Sequence, residues 1–123
     1  MKHDILLALG SNHRADSNLQ QALSLLARFV DIRRTSATLV SAAIGEGMEN
    51  GVCPFTNQLL CGETLLPLDE LQTRLNEAER LIGRCPGERD TIPIDLDILR
   101  YYDRMLHPDY WGRPYIRRLL EDL

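Results

Sequence analysis

The sequence lacks the features that mark several large classes of protein. Its three cysteines, Cys53, Cys61 and Cys85, are odd in number and form no C-x-x-C pair, which disfavours a disulfide framework and a zinc site. The amino-terminal apolar run covers only residues 5–9, too few for a signal peptide or a membrane span. We therefore expect reduced, structural thiols in a cytoplasmic chain.

A surplus of positive charge is also absent, since 14 Lys and Arg face 18 Asp and Glu and the formal net charge is −4. Nonspecific nucleic-acid binding needs Lys and Arg to neutralise phosphates, so we expect no nucleic-acid partner. Hydrophobic residues at 44% and charged residues at 26% are near the averages for globular proteins. The 123 residues suffice for one core, and we predict a single domain over residues 1–123.

The first part of the chain alternates between strand and helix patterns. Residues 4–9 form a nearly continuous apolar run before Gly-Ser-Asn, which predicts a buried central strand. Apolar residues recur at helical spacing over residues 17–30, where Ser17 and Gln20 form a predicted capping box. Residues 32–44 are rich in Thr, Val, Ile and Ser without Pro or Gly, which favours a strand.

The remainder repeats this alternation. Three glycines over residues 45–51 predict a mobile loop, and a strand follows over about residues 54–63. Leucine spacing predicts a second helix that begins at Leu68 and that Gly83 would end, after which residues 92–101 return to strand. The order βαββαβ predicts an α+β, ferredoxin-like antiparallel sheet with two helices on one face. We expect a short C-terminal helix to follow.

The sharpest chemical feature is the segment Ile-Asp-Leu-Asp-Ile at residues 94–98. Period-two alternation places the aliphatic residues on the core face of a strand and both Asp95 and Asp97 on the other. Side chains at i and i+2 start about 6.5 to 7 Å apart, so their oxygens can converge on a hard cation. The alternative is an amphipathic strand with a hydrated acidic face. Like charges repel without a cation and Asp is a poor strand residue, which favours the metal.

With this pair on the last strand of the order, the chain resembles the 6-hydroxymethyl-7,8-dihydropterin pyrophosphokinase family over about residues 5–118. The matching segments are Ala8–Asn12, Phe55–Asn57, Glu79–Arg84, Ile94–Leu99, His107–Pro108 and Arg113–Tyr115. The resemblance implies the ferredoxin-like fold and transfer of pyrophosphate from ATP to the pterin, which gives AMP and the pterin diphosphate in folate biosynthesis.

The resemblance also implies roles for residues at the pterin site. Phe55 and Tyr115 would stack on the two faces of the pterin ring, an arrangement that suits a flat heterocycle. Asn57 would read the edge of the ring, because an amide offers both a donor and an acceptor. Core packing is the alternative for the two aromatic residues.

On the nucleotide side, the resemblance implies that Asp95 and Asp97 hold two Mg²⁺ ions and that both act in catalysis together with Arg84. The residues implied to contact ATP are Asn76, Glu79, Arg84, His107 and Arg113. Guanidinium groups suit phosphate oxygens because their charge and fork geometry are fixed. The alternative for an exposed Arg or Glu on a helix is simple solvation.

The chain departs from the family pattern just before the acidic pair. The family usually has R-W-G-P-R-T there, whereas Glu-Arg-Asp-Thr-Ile-Pro occupies residues 88–93. The tryptophan is absent, Ile92 replaces the arginine nearest the aspartates, and Arg89 could substitute only if the loop folds differently. Two alternatives therefore stay open: a degenerate paralogue that binds pterin or nucleotide without efficient transfer, and a non-catalytic ferredoxin-like interaction domain. We also expect a monomer with no membrane partner.

Overall fold

The computed structural model describes residues 1–41, 54–88 and 90–123. Its strands are β1 (His3–Ser11), β2 (Asp31–Thr35), β3 (Leu39–Ser41), β4 (Phe55–Thr64), β5 (Asp95–Tyr101) and β6 (Arg104–Met105). Its helices are α1 (Ala15–Leu26), α2 (Leu68–Ile82) and α3 (Pro114–Leu120), with a 3-10 turn at Tyr110–Gly112. The predicted glycine-rich loop, Cys53 and Arg89 lie outside the described residues.

The strands form one sheet in the order β2-β4-β1-β5-β6, and β3 also pairs with β4. All of the pairings are antiparallel, so the predicted ferredoxin-like α+β fold is confirmed. The single strand predicted over residues 32–44 is wrong, because β2 ends at Thr35 and β3 begins at Leu39. Between them, Ser36 bonds β4 through its backbone and through its hydroxyl, which accepts from the Leu59 amide at 2.8 Å.

Helix α1 begins earlier than the periodicity predicts. Arg14 precedes it in the left-handed conformation (φ 46°), and Asn18 anchors this turn by donating from Nδ2 to the His13 carbonyl at 2.7 Å. Ser17 lies inside the helix, where its hydroxyl accepts from Gln21, so the predicted capping box is wrong. Helix α2 spans the predicted residues, and Gly83 ends it with a φ of 122° that favours glycine.

The sheet has an apolar cluster on each face. Helices α1 and α2 cover one face, where Ile5, Leu7 and Leu9 of β1 are buried against them. Helix α3 covers the other face, which includes Leu6 and Ala8 of β1. Burial on both sides explains why β1 is a continuous apolar run instead of an alternating one. Within the described residues, no helix is long and apolar enough to cross a membrane.

The close approach of β2 to β4 gives a testable prediction. A Cβ added to Gly62 of β4 would lie 2.6 Å from the Asp31 carbonyl oxygen and 3.0 Å from Val30 Cγ1. Gly62→Ala should therefore displace β2 and lower the free energy of unfolding by about 1–3 kcal/mol, as overpacking does. Urea titration measures this. Gly112→Ala is the control, because no atom lies within 4 Å of its added Cβ. An unchanged midpoint for Gly62→Ala would contradict the close approach.

Candidate active site

A cleft opens on the α3 face of the sheet, at the carboxyl end of β1. Gly10 pairs there with Asn57 of β4 on one side and with Asp95 of β5 on the other, so residues distant in sequence lie together. The predicted site residues that line the cleft are Phe55, Asn57, Arg84, Asp95, Asp97, Arg113 and Tyr115. Ser41, Ile92 and Tyr110 also line it, and sequence reasoning gave none of these three a role at the site.

Asn57 is oriented by its neighbours in β3 and β4. Its Nδ2 donates to the Ser41 hydroxyl at 2.7 Å, the Leu39 carbonyl at 3.1 Å and the Phe55 carbonyl at 3.3 Å. Its Oδ1 lies near Gly10, where an added Cβ would come within 3.4 Å. The Nδ2 donor of Asn57 therefore forms its hydrogen bonds within the protein. The sequence-based interpretation had offered both the donor and the acceptor of this amide to a ligand.

The acidic pair on β5 has the predicted alternation. Leu96 and Ile98 are 2% and 1% exposed in the core, while Asp95 and Asp97 face the cleft. Arg84 neutralises the first acid, because its Nη1 lies 2.9 Å from Asp95 Oδ1. The metal hypothesis had assumed that no cation compensates the two carboxylates. In the structure, Arg84 provides a compensating charge from the position directly after Gly83.

Glu79 forms an ion pair with the same arginine. Its Oε2 lies 3.2 Å from Arg84 Nη1 and accepts from the Leu96 amide at 2.8 Å. Burial raises the pKa of this carboxyl, and the amide and guanidinium partners favour its charged form. Glu79 thus connects the end of α2 to the backbone of β5, between the two aspartates.

Asp97 has a strongly raised pKa. Burial, followed by the charge of Asp95, raises it to about 7. The Tyr110 hydroxyl donates to Asp97 Oδ2 at 2.9 Å, which acts in the opposite direction by favouring the carboxylate. Burial and the charge of Asp97 also raise the pKa of Tyr110. The environment of Asp97 disfavours a second negative charge, and a divalent cation would reverse that preference.

Arg113 is held at the cleft by two aromatic residues and by Asp109, whose Oδ2 lies 3.1 Å from Arg113 Nη2. Its Cζ lies 3.9 Å from the centroid of the Tyr110 ring, and its Nη1 donates to the Tyr115 hydroxyl at 2.9 Å. The His107 ring packs on Tyr110 with 5.0 Å between centroids. Sequence reasoning missed Tyr110. Its position was a usable signal, because Tyr110 lies three residues after His107 and three before Arg113, which places the three residues on successive turns.

Comparisons with known proteins identify the family and the fold of the chain. The family model described as 7,8-dihydro-6-hydroxymethylpterin-pyrophosphokinase (HPPK) matches residues 6–123. The chain belongs to the HPPK family. The crystal structure of wild-type Plasmodium falciparum HPPK-DHPS with SDX-DHP is similar in fold, with a TM-score of 0.58 and 16% identity. The match covers 97% of this chain and 32% of that one. No curated protein sequence matches significantly.

HPPK enzymes use ATP with Mg²⁺, and the donors of the cleft fit such a cation. Asp95 and Asp97 offer hard oxygen ligands from one strand face, and burial followed by the charge of Asp95 raises the pKa of Asp97. Among the described residues, no cluster of three or more His, Cys, Asp and Glu could hold a metal ion. The two carboxylates that are present suit Mg²⁺, which commonly takes one or two carboxylates and completes its coordination with water and phosphate oxygens.

Not all of the nucleotide residues implied by the HPPK resemblance line the cleft. Asn76 and Glu79 lie in a neighbouring groove, which Arg84 also borders. His107 lies in a second groove with Leu68, Gln72, Ile98 and Leu106. Gln72 Nε2 donates to Asn76 Oδ1 at 3.0 Å and so connects the two grooves along α2.

Ile92, which stands where the resemblance leads us to expect an arginine, is 3% exposed. Its amide donates to Asn12 Oδ1 at 2.6 Å, and its carbonyl accepts from the Asn12 amide at 3.1 Å. Asn12 Nδ2 also donates to the Asp90 carbonyl at 2.7 Å. The residue is therefore part of the packed wall of the cleft, and an arginine could not occupy the same position without exposing its head group.

The raised pKa of Asp97 predicts a pH-dependent gain in stability for Asp97→Asn in metal-free buffer. The folded-state pKa of about 7 exceeds the ordinary value of 3.8, so the wild type loses stability as pH rises between these values. The variant escapes this loss. The variant should melt at a higher temperature than the wild type, and this difference should be larger at pH 8 than at pH 5. Thermal unfolding in buffer that contains EDTA measures it. Asp103→Asn, an exposed change in the β5–β6 hairpin, is the control. An equal difference at both pH values would contradict the shift.

Proposed function

We propose that this chain transfers pyrophosphate from ATP to 6-hydroxymethyl-7,8-dihydropterin, with release of AMP, in folate biosynthesis. The observation that carries the proposal is the shared cleft. The acids Asp95 and Asp97 face the same space as Phe55, Asn57 and Tyr115. A cation-bound triphosphate and a stacked heterocycle would therefore meet there. Membership of the HPPK family supports the same reaction.

The pterin would lie between Phe55 and Tyr115, since both rings line the cleft and offset stacking suits a flat heterocycle. Asn57 would accept from the ring edge through Oδ1, because its Nδ2 already donates to the protein. An amide oxygen accepts from N–H groups, so Asn57 would select the donor-bearing edge of the ring. Ser41 supports this selection by holding the amide in place at 2.7 Å.

The triphosphate would lie at the acidic pair. Asp95 and Asp97 would hold two Mg²⁺ ions, and Arg113, which also lines the cleft, would add positive charge. We propose that the adenosine runs along α2, where the Gln72–Asn76 hydrogen bond joins the two grooves. The apolar wall of Leu106 beside His107 suits a flat base.

In the proposed reaction, the hydroxymethyl oxygen of the pterin bonds to the β-phosphorus of ATP. The bond from that phosphorus to the bridging oxygen of the α-phosphate breaks, AMP leaves, and the hydroxymethyl proton passes to solvent. Bound Mg²⁺ would neutralise developing charge on the phosphate oxygens. The protein contributes position and electrostatics, which dominate phosphoryl transfer.

Glu79 and Arg84 would act as supports for this arrangement. Arg84 carries the charge that balances Asp95, and Glu79 fixes Arg84 to the β5 backbone. We therefore assign Glu79 to holding Arg84 and β5, a role that differs from the adenosine contact implied by sequence resemblance. Arg84 borders both the cleft and the α2 groove, so it can contact phosphates when a cation binds Asp95.

The burial of Ile92 favours the second candidate function, a paralogue that binds substrates without efficient transfer. A buried aliphatic side chain at this position supplies no charge to the phosphates, and a well-placed charged donor can contribute about 3 kcal/mol to transition-state stabilisation. Arg113 on the Tyr110 ring offers positive charge from another wall, which supports transfer.

We further propose a cytoplasmic monomer with residues 1–123 as one domain.

The decisive experiment is incubation of the purified protein with 6-hydroxymethyl-7,8-dihydropterin and MgATP, with AMP measured by chromatography. AMP should form only when the pterin is present. Asp97→Ala should reduce the rate by at least about a hundredfold, because it removes half of the cation site, and Asp103→Ala should not. Binding of both substrates without AMP would support the paralogue. Absence of binding to either would support the interaction domain.

The pterin assignment predicts a division of labour among the cleft residues. Phe55→Ala and Tyr115→Ala should each weaken pterin binding by about 3- to 10-fold, the value of an aromatic contact. Asn57→Ala should reduce discrimination between pterins that differ in their edge donors. Fluorescence titration measures all three, and Tyr115→Phe keeps the ring as the matched control. Unchanged affinity in the three alanine variants would remove the pocket assignment.

A further inference from the structure

We propose that Tyr110 is a positioning residue that orients Asp97 for cation binding and supports Arg113 with its ring. This inference rests on the proposed cation role of Asp97. The Tyr110 hydroxyl donates to Asp97 Oδ2 at 2.9 Å, and the Arg113 guanidinium lies 3.9 Å from the centroid of the same ring. One side chain therefore contacts both the proposed metal ligand and a proposed phosphate-binding cation.

The backbone around Tyr110 holds the side chain in place. Tyr110 lies on the 3-10 turn. Trp111 of the same turn donates from Nε1 to the Leu106 carbonyl at 3.0 Å and so joins the turn to the preceding segment. The Leu106 amide in turn donates to the Leu99 carbonyl of β5 at 2.9 Å. The turn is thus tied to the strand that carries Asp97. Such an anchored donor can fix the plane of a carboxylate, as outer partners do in many metal sites.

The hydroxyl and the ring have separable effects. A phenol stays protonated at neutral pH, so it occupies one lone pair of Oδ2 and leaves Oδ1 of the same carboxylate for a cation. The ring supports Arg113, which also bonds the Tyr115 hydroxyl at 2.9 Å. Removal of the hydroxyl should therefore affect the cation, whereas removal of the ring should also affect the nucleotide.

The alternative is a half-buried tyrosine that only packs and satisfies its hydroxyl. Such a residue would change stability without changing the Mg²⁺ dependence of binding. Tyr110→Phe separates these roles because it keeps the ring under Arg113 and removes only the donor to Asp97. Tyr102→Phe is the matched control, since Tyr102 is 58% exposed in the neighbouring hairpin.

The test is calorimetric binding of a non-hydrolysable ATP analogue over a series of Mg²⁺ concentrations. Tyr110→Phe should raise the Mg²⁺ concentration for half-maximal coupling by about 10-fold or more, as loss of an outer partner does. Affinity for the analogue at saturating Mg²⁺ should recover. In AMP formation the same variant should show a higher Mg²⁺ requirement with an unchanged KM for pterin. Tyr110→Leu should also lower analogue affinity at saturating Mg²⁺.

A double-variant cycle ties the effect to the carboxylate. Once Asp97→Asn is present, Tyr110→Phe should cause no further change in Mg²⁺ dependence. An unchanged Mg²⁺ dependence in Tyr110→Phe, or an equal loss at every Mg²⁺ concentration, would overturn the proposal. A wild type that forms no AMP but shows the coupling, weakened by Tyr110→Phe, would refute the transfer function and leave this assignment standing.

Discussion

The site depends on the antiparallel pairing of β1 with both of its neighbours. That register places Gly10 between Asn57 and Asp95, so the end of one buried strand brings the pterin and cation residues to a single cleft. Because side chains alternate along a strand, a slip of one residue in β5 would turn Asp95 and Asp97 into the core. The buried residues Ile94, Leu96 and Ile98, which alternate with these two acids, oppose such a slip.

Electrostatics then shapes the cleft that this register creates. Two acids on one strand face repel, and the protein moderates the repulsion with Arg84 at Asp95 and the Tyr110 hydroxyl at Asp97. Burial, followed by the charge of Asp95, still raises the pKa of Asp97. Perturbed acids of this kind occur often at functional sites, and here the perturbation is one that a divalent cation would relieve.

The walls of the cleft are built by two different parts of the chain. Asn12 binds the segment at residues 90 and 92 through three hydrogen bonds, and the Ile92 side chain is buried in the same wall. On the opposite side, Arg113 lies on the Tyr110 ring. Positive charge thus reaches the cleft from the C-terminal segment through Arg113 and from the loop before β5 through Arg84.

The sequence by itself determined what short-range periodicity controls. The apolar run of β1, the leucine spacing of α2 and the alternation at residues 94–98 each predicted the observed element, because neighbouring residues decide which face is buried. The capping box failed because Arg14 adopts a left-handed turn that starts α1 earlier. Only the tertiary structure decided two contacts of the site. The Asn57 nitrogen donates to Ser41, 16 residues away, because β3 pairs with β4. Tyr110 donates to Asp97, 13 residues away, because the C-terminal turn docks on the sheet.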